Sequence, residues 1–285
     1  MRTATAEAPA RAALLGNPSD GYGGHVVALA LANFSATVQL DEAAEDDVAT
    51  PLVRAAIGRF PHACPPVRAR VETTIPRSVG LGGSSAIVIA TLRALCKLSG
   101  ARLEAPVLAR LALAAEAEDL GIAAGPQDRV VQAHGGLLSM DFSAGTVERL
   151  DAAALPALFL AWRTEHAEAS GAVHAPLRER VERGEARAIA CLDELARVAR
   201  RGRDAIAAGD HGALAGLIDR TFDVRAELLA LDARHVRLVE IARDHGAHAT
   251  FAGSGGAVVG TATAPGLRAA YEAEGCGFAE VRVAA

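Results

Sequence analysis

Pro76-Arg-Ser-Val-Gly80-Leu81-Gly82-Gly83-Ser84-Ser85-Ala86 lies between two stretches of different period. Before it, Val67, Ala69, Val71, Thr73 and Ile75 alternate with Arg68, Arg70, Glu72 and Thr74, which predicts a half-buried strand. After it, Ile87, Thr91, Ala94, Leu95 and Leu98 recur at three and four, which predicts a helix from Ser84 to Leu98 with Gly100 as its C-cap signal. A strand, a glycine-rich loop and a helix N-terminus in that order form an anion site. The glycines let the backbone approach the ligand, and the first-turn amides sit unpaired at the positive end of the helix dipole. Ser84 and Ser85 can cap the helix, bond phosphate oxygens or hold Mg2+. The plain alternative is a capped helix after a tight turn.

Two familiar phosphate or dinucleotide loops do not fit. The chain has 285 residues, 66 of them Ala, and 29 basic residues of which Lys97 is the only lysine. A phosphate-gripping or Schiff-base lysine is therefore Lys97 or does not exist. Lys97 stands at the far end of the helix that Ser84 starts, about 20 Å away at 1.5 Å per residue. No GxxxxGK[ST] or GxGxxG pattern occurs at the loop. Gly82-Gly83-Ser84-Ser85-Ala86 loosely imitates a hydrolase nucleophile elbow, whose partners would be Asp128 and His245. The amphipathic strand and the proline before the loop argue against that reading.

Net charge is −5 with 22% charged residues and no basic stripe, which excludes a polycation and argues against nucleic acid as partner. The longest apolar stretch, His25 to Leu40, carries Asn33, Ser35 and Gln39, so no membrane span is expected. Met1 to Pro9 has no apolar core, so no secretory signal is expected either. Cys64, Cys96, Cys191 and Cys276 form no CxxC pair and read as reduced thiols of a cytoplasmic protein.

Working outward, Arg11 to Leu15 is a short apolar run that ends in turn formers, Gly16 to Gly24. His25 to Leu40 favours β structure, Asp41 to Asp47 reads as an acidic turn, and Thr50 to Phe60 as a short helix. Ala105 to Leu120 reads as a helix and Leu137 to Phe142 as a strand. A break falls near Asp151 to Pro156. Beyond it come a strand (Ala157 to Trp162), a polar loop (Arg163 to Val173) and three helical stretches between Pro176 and Gly246. Ala249 to Gly260 holds a Gly-rich turn and a strand, followed by a helix (Pro265 to Glu274) and a last strand (Phe278 to Val283). Without regular βαβ alternation, this order predicts an α+β protein of two domains, 1–155 and 156–285.

Two further features can carry chemistry. Glu116 and Asp128 can converge on one cavity, as phosphoryl transfer requires: one carboxylate for Mg2+, one for the nucleophile's proton. Asp128 stands between turn residues and a β-like stretch. Gly253-Ser254-Gly255-Gly256, before an apolar strand, is the second glycine-rich turn.

Taken together, these residues resemble the GHMP kinases, the superfamily of galactokinase, homoserine kinase, mevalonate kinase and phosphomevalonate kinase. The three family motifs fall in order: Arg11 to Asp20 with Gly23-Gly24, Pro76 to Ala86, and Gly253 to Gly256. Gly83 stands where many members have Ser. Within the superfamily the chain is similar to plant-type glucuronokinases. The matching stretches are Leu15 to Asp20, Ile75 to Leu81, Gly83 to Val88, Gln127-Asp-Arg-Val-Val-Gln132, Gly135 to Leu137 and Met140 to Phe142. Others follow at Ser170-Gly171 with Val173-His174, Phe222 to Arg225, Val239 to Arg243 and Phe251 to Val259.

The resemblance implies an N-terminal domain like domain 2 of ribosomal protein S5, a ferredoxin-like C-terminal domain, and use of ATP and Mg2+. It implies phosphorylation of the anomeric hydroxyl of D-glucuronate, a small-molecule sugar acid, by a monomer or homodimer. Another sugar or a mevalonate-type acid is the alternative substrate. Outside the class the alternatives are a serine hydrolase and a non-catalytic nucleotide-binding regulator. Carried over by position, Asp128 is the catalytic aspartate, and Arg11 is the basic residue beside it, where mevalonate kinases have lysine. Pro76, Gly80, Leu81, Gly82, Gly83, Ser84, Ser85 and Ala86 wrap the ATP phosphates. Ser85 and Glu116 hold the metal, with Glu118 as rival. Asn17, Ser19 and Asp20 contact the sugar, and Gly253, Ser254, Gly255 and Gly256 close against it. Arg225 and Arg129 are the candidates for a substrate carboxylate.

Overall fold

A computed structural model describes residues 1–123, 125–163, 171–261 and 264–285, with the side chains of 171–175 left aside. Chain order runs β1 (Thr3–Leu15), β2 (His25–Glu42), α1 (Pro51–Arg59), β3 (Val67–Thr73), α2 (Gly83–Ser99) and α3 (Ala105–Ala114), with a π turn continuing α3 over Ala115–Asp119. Then come α4 (Gln127–His134), β4 (Leu137–Asp141), β5 (Thr146–Leu150) and β6 (Leu158–Trp162). The rest is α5 (Gly171–Glu182), α6 (Ala186–Ala208), α7 (His211–Leu228), α8 (Ala233–Asp244), β7 (Ala249–Phe251), β8 (Ala257–Thr261), α9 (Leu267–Ala273) and β9 (Gly277–Glu280).

The architecture is α+β. Every described strand pairing is antiparallel, and helices cover the sheets rather than cross between parallel strands. In the first sheet, β1 runs along the whole of β2. The opposite edge of β2 is shared, its first half pairing with β4 and its second half with β3. The second sheet has the order β7-β8-β6-β9, the strand order of a βαββαβ ferredoxin-like unit. One apolar core runs through both, from Ala8, Leu29 and Leu92 to Leu160 and Val259. The C-terminal residues return to the first sheet, where the Ala284 amide donates to the Ala30 carbonyl at 2.9 Å.

β1 begins at Thr3, eight residues earlier than the apolar run suggests. Ala4, Ala6, Ala8 and Ala10 point inward and alternate with Thr3, Thr5, Glu7 and Pro9. Alanine carries little hydropathy contrast, so this period-two signal is faint. Four helices, not three, occupy 171–244. Of the expected polar loop, 164–170 lies outside the described residues, including the Ser170 match, and Gly171–Val173 opens α5. β5 and α4 are additions, and the expected single strand within Ala249 to Gly260 is the hairpin β7–β8.

Candidate active site

The last inward residues of β1 run beneath two glycine-rich loops. The Arg11 amide donates to Leu81 O at 3.1 Å, and the Ala13 amide to Ala252 O at 2.8 Å. The Arg11 guanidinium lies 5% exposed at this junction. Its Nε and Nη2 donate to Oδ1 and Oδ2 of Asp128, both at 2.6 Å, while Nη1 donates to the carbonyls of Gly80 and Ala252. A bidentate guanidinium–carboxylate fork fixes orientation as well as charge. Asp128 sits in the first turn of α4, not ahead of a strand as its apolar neighbours suggest.

Two further side chains on α4, Arg129 and Gln132, are fixed by hydrogen bonds. Arg129 Nε donates to Glu116 Oε2 at 2.6 Å, and its Nη1 to Gly125 O at 2.7 Å. Gln132 Nε2 bridges Pro9 O and Gly82 O at 3.0 and 2.7 Å, tying the phosphate-type loop to β1.

That loop delivers the N-terminus of α2 to a cavity of about 950 Å³. Gly82 caps the helix with φ +73°, and no side chain caps it. The Ser85 hydroxyl donates to Gly82 O at 3.1 Å, so neither serine competes for the first-turn amides as a side-chain cap would. Pro76, Gly80, Leu81, Gly82, Gly83 and Ser84 line the cavity, whereas Ser85 and Ala86 lie buried behind it. The third motif closes over Arg11. A Cβ on Gly253 would stand 2.1 Å from Gly80 O and 2.9 Å from Arg11 Nη1, so only glycine fits where the loops cross. Gly253 and Ser254 face the cavity; Gly255 and Gly256 pack instead against His235 and Val79.

The opposite wall is the loop after β1, which contains a cis Asn17-Pro18 bond and a 3-10 turn over Ser19–Tyr22. Asn17, Asp20 and Tyr22 line the cavity. Ser19 does not; its hydroxyl donates to His25 O at 3.1 Å. Asp20 is buried and accepts the Gln127 amide at 3.2 Å. Burial first, and the charge of Asp128 second, push its carboxyl up to about 6.

Glu116 lies on the π turn, a device that recurs at functional sites. It is fully buried behind the cavity, and the Arg129 fork holds its Oε2. Its Oε1 has no hydrogen-bond partner among the described residues. A buried anionic oxygen without a donor fits a cation, and the Ser85 hydroxyl, whose proton goes to Gly82 O, keeps lone pairs for the same purpose. Glu118 is no rival: it is exposed and pairs with Arg59 at 2.8 Å.

The two arginines expected to hold a carboxylate are engaged elsewhere. Arg129 is committed to Glu116. Arg225 lies 1% exposed beneath the third loop, where Nη2 donates to Gly253 O at 2.6 Å and Nη1 to Phe251 O at 3.3 Å. It supports that loop from behind; the cavity wall does not include it. The hydrolase reading also fails, because Asp128 is held by Arg11 and His245 bonds Ile241 O at the end of α8. Cavity residues missed in the sequence are Tyr22, Arg77, Gln127 and Arg178. Arg77 falls inside the quoted loop, Tyr22 in the turn-forming stretch Gly16 to Gly24 and Gln127 beside Asp128; Arg178 on α5 has no local signature.

Residues 47–136 match the family described as the GHMP kinases N terminal domain. The chain is 35% identical to glucuronokinase 1 of Arabidopsis thaliana over a 301-residue alignment, covering 88% of this chain and 82% of that protein. It is 40% identical over 201 residues to the probable glucuronokinase 2 of the same plant, covering 66% and 55%. Among solved structures, a galactokinase from Lactococcus lactis complexed with galactose has a TM-score of 0.85 at 15% identity, covering 99% and 94% of the two chains. That last likeness establishes the fold.

Proposed function

The chain belongs to the GHMP kinase family, and on that basis we propose that it transfers the γ-phosphoryl group of ATP to the anomeric hydroxyl of D-glucuronate. It is a phosphotransferase acting on a hydroxyl group. The observation that carries the reading is the Arg11–Asp128 fork, set in the wall of a cavity that also receives the N-terminus of α2. The α2 amides and the loop from Pro76 bind the triphosphate. Asn17 and Asp20 hold the sugar on the facing wall. The acceptor oxygen forms a bond to the γ-phosphorus as its proton passes to Asp128, and the bond from phosphorus to the bridging oxygen breaks to release ADP. Arg11 aims the carboxylate and offsets charge as it moves onto the reacting oxygens. Gly253 and Ser254 exclude water above the pair.

Mg2+ would neutralise phosphate charge, and Ser85 and Glu116 are the residues that would hold it. No described helix is long and apolar enough to cross a membrane. The proposed enzyme is cytoplasmic and works as a monomer or homodimer, with two lobes divided near residue 155.

ADP release from full-length protein, ATP and a panel of acceptors tests the substrate. Release with glucuronate supports the proposal. Release only with another sugar or a mevalonate-type acid replaces the substrate. ATP binding without release for any acceptor would make the protein a nucleotide-binding regulator.

A further inference from the structure

Four arginines line the cavity: Arg11, Arg77, Arg129 and Arg178. Two are spoken for. Arg11 is bonded to Asp128 and two carbonyls, and Arg129 to Glu116 and Gly125 O. Arg77 and Arg178 make no hydrogen bond or ion pair among the described residues. Among the described residues, these two guanidinium groups are exposed, line the cavity and keep their donors for an anion.

Their placement separates them. Arg77 follows Pro76 within the loop that leads to α2, on the triphosphate side. Arg178 belongs to α5 and reaches the cavity from the other lobe. Its neighbour Leu177 is buried in an apolar cluster with Leu192, Leu195 and Leu228, and Tyr22 packs against that cluster. Arg180 secures the same helix through Glu185 and Leu228 O. The helix is therefore anchored on both sides of Arg178, which stands with Tyr22 on the wall that carries Asn17 and Asp20. Its charge also reaches the Tyr22 hydroxyl, opposing the upward push of burial there.

We propose that Arg178 receives the carboxylate of the sugar acid and thereby sets the preference for a uronate over a neutral sugar. This rests on the glucuronate reading above. A uronate brings one negative charge to a wall that already holds Asp20, so it needs a cation there. A guanidinium fork suits a planar carboxylate. Among the described residues, that wall supplies one such group without a hydrogen bond or ion pair, Arg178.

The test uses the full-length enzyme, Arg178→Ala, Arg178→Lys and Arg77→Ala, with glucuronate and glucuronamide as acceptors. Glucuronamide keeps the shape and loses the charge. Arg178→Ala is expected to raise KM for glucuronate about 10- to 100-fold while KM for ATP moves less than about twofold. The ratio of kcat/KM for glucuronate to that for glucuronamide should fall by about the same factor. That ratio is read within one preparation, so partial misfolding does not disturb it. Arg178→Lys should restore part of the ratio, and Arg77→Ala should act on KM for ATP.

An unchanged ratio in Arg178→Ala, with wild type active on glucuronate, overturns the assignment and leaves the substrate intact. A rise in KM for ATP alone moves Arg178 to the triphosphate and overturns it too. A wild-type enzyme that accepts only neutral sugars overturns both readings.

Discussion

Arg11 and Asp128, 117 positions apart in sequence, meet through two parallel hydrogen bonds of 2.6 Å at the crossing of two glycine-rich loops. The pair joins the end of β1 to the start of α4 and fixes the carboxylate in orientation before any substrate arrives. In the proposed reaction such preorganisation would lower the barrier, because the carboxylate would not have to reorient as it takes the proton.

Asp128→Asn keeps the shape and removes the proposed proton acceptor. We expect kcat to fall about 10²- to 10⁴-fold while ATP affinity, measured by calorimetry, stays within about threefold. Near-normal turnover would refute the role given to Asp128.

Asp20→Asn should separate stability from function. The folded carboxyl titrates near 6 against 3.8 when free. A raised acid contributes stability in its protonated form, and that contribution is lost as pH rises from about 4 to about 6. At pH 8 the buried charge costs on the order of 3 kcal/mol at most. The variant should therefore be more stable than wild type in denaturant titrations at pH 8, with the gain gone by pH 4. Its KM for the sugar should rise. A variant less stable at pH 8 would contradict the burial argument.

His25 gives the opposite slope. It is buried between Ser139, at 2.7 Å, and Asp141, at 3.3 Å, and burial lowers its pKa despite Asp141. The unfolded chain takes up this proton first as pH falls below 6.5, so stability is lost on the acid side. In the Asp20→Asn background, where the opposing group is gone, unfolding free energy should drop between pH 7.5 and 5.5. A flat profile would show that His25 gains its proton as easily folded as unfolded.

Gly253→Ala should disable the site where an equivalent change elsewhere is harmless. Its new methyl has no room beside Gly80 O, so the loops must part and Arg11 loses its roof. Turnover should fall at least about tenfold, since small misplacements of reacting groups are costly. Gly58→Ala, exposed in α1 with open space around it, should instead stabilise by up to about 1 kcal/mol. Equal effects of the two would sink the interlock.

Arg225→Ala should lower the melting temperature and kcat together, and shift both KM values in parallel. The substitution strands the Gly253 and Phe251 carbonyls, at roughly 1–3 kcal/mol for each unsatisfied group. A rise in KM for glucuronate alone, with stability unchanged, would place Arg225 at the substrate after all.

Much of this was legible in the sequence because glycine, proline and periodicity act locally. The Pro76–Ala86 loop, α2 and the α+β order are visible without coordinates, and so is Asp128 as a lone acid after Gly125-Pro126. What was hidden depends on distance. Arg225 and Arg129 look like free cations until burial commits them to Gly253 O and to Glu116. Glu116 and Glu118 are indistinguishable until the π turn buries one and exposes the other. Arg178 has no neighbouring motif because its significance comes from α5 docking beside Tyr22.

The most direct test of the central claim is phosphorus-coupled NMR of the product formed from ATP and glucuronate. The Asp128 assignment predicts one new phosphate ester whose phosphorus couples to the anomeric proton, formed by wild type and formed at least about 100-fold more slowly by Asp128→Asn. Phosphate on any other sugar carbon, or the same product from Asp128→Asn at the wild-type rate, would contradict it.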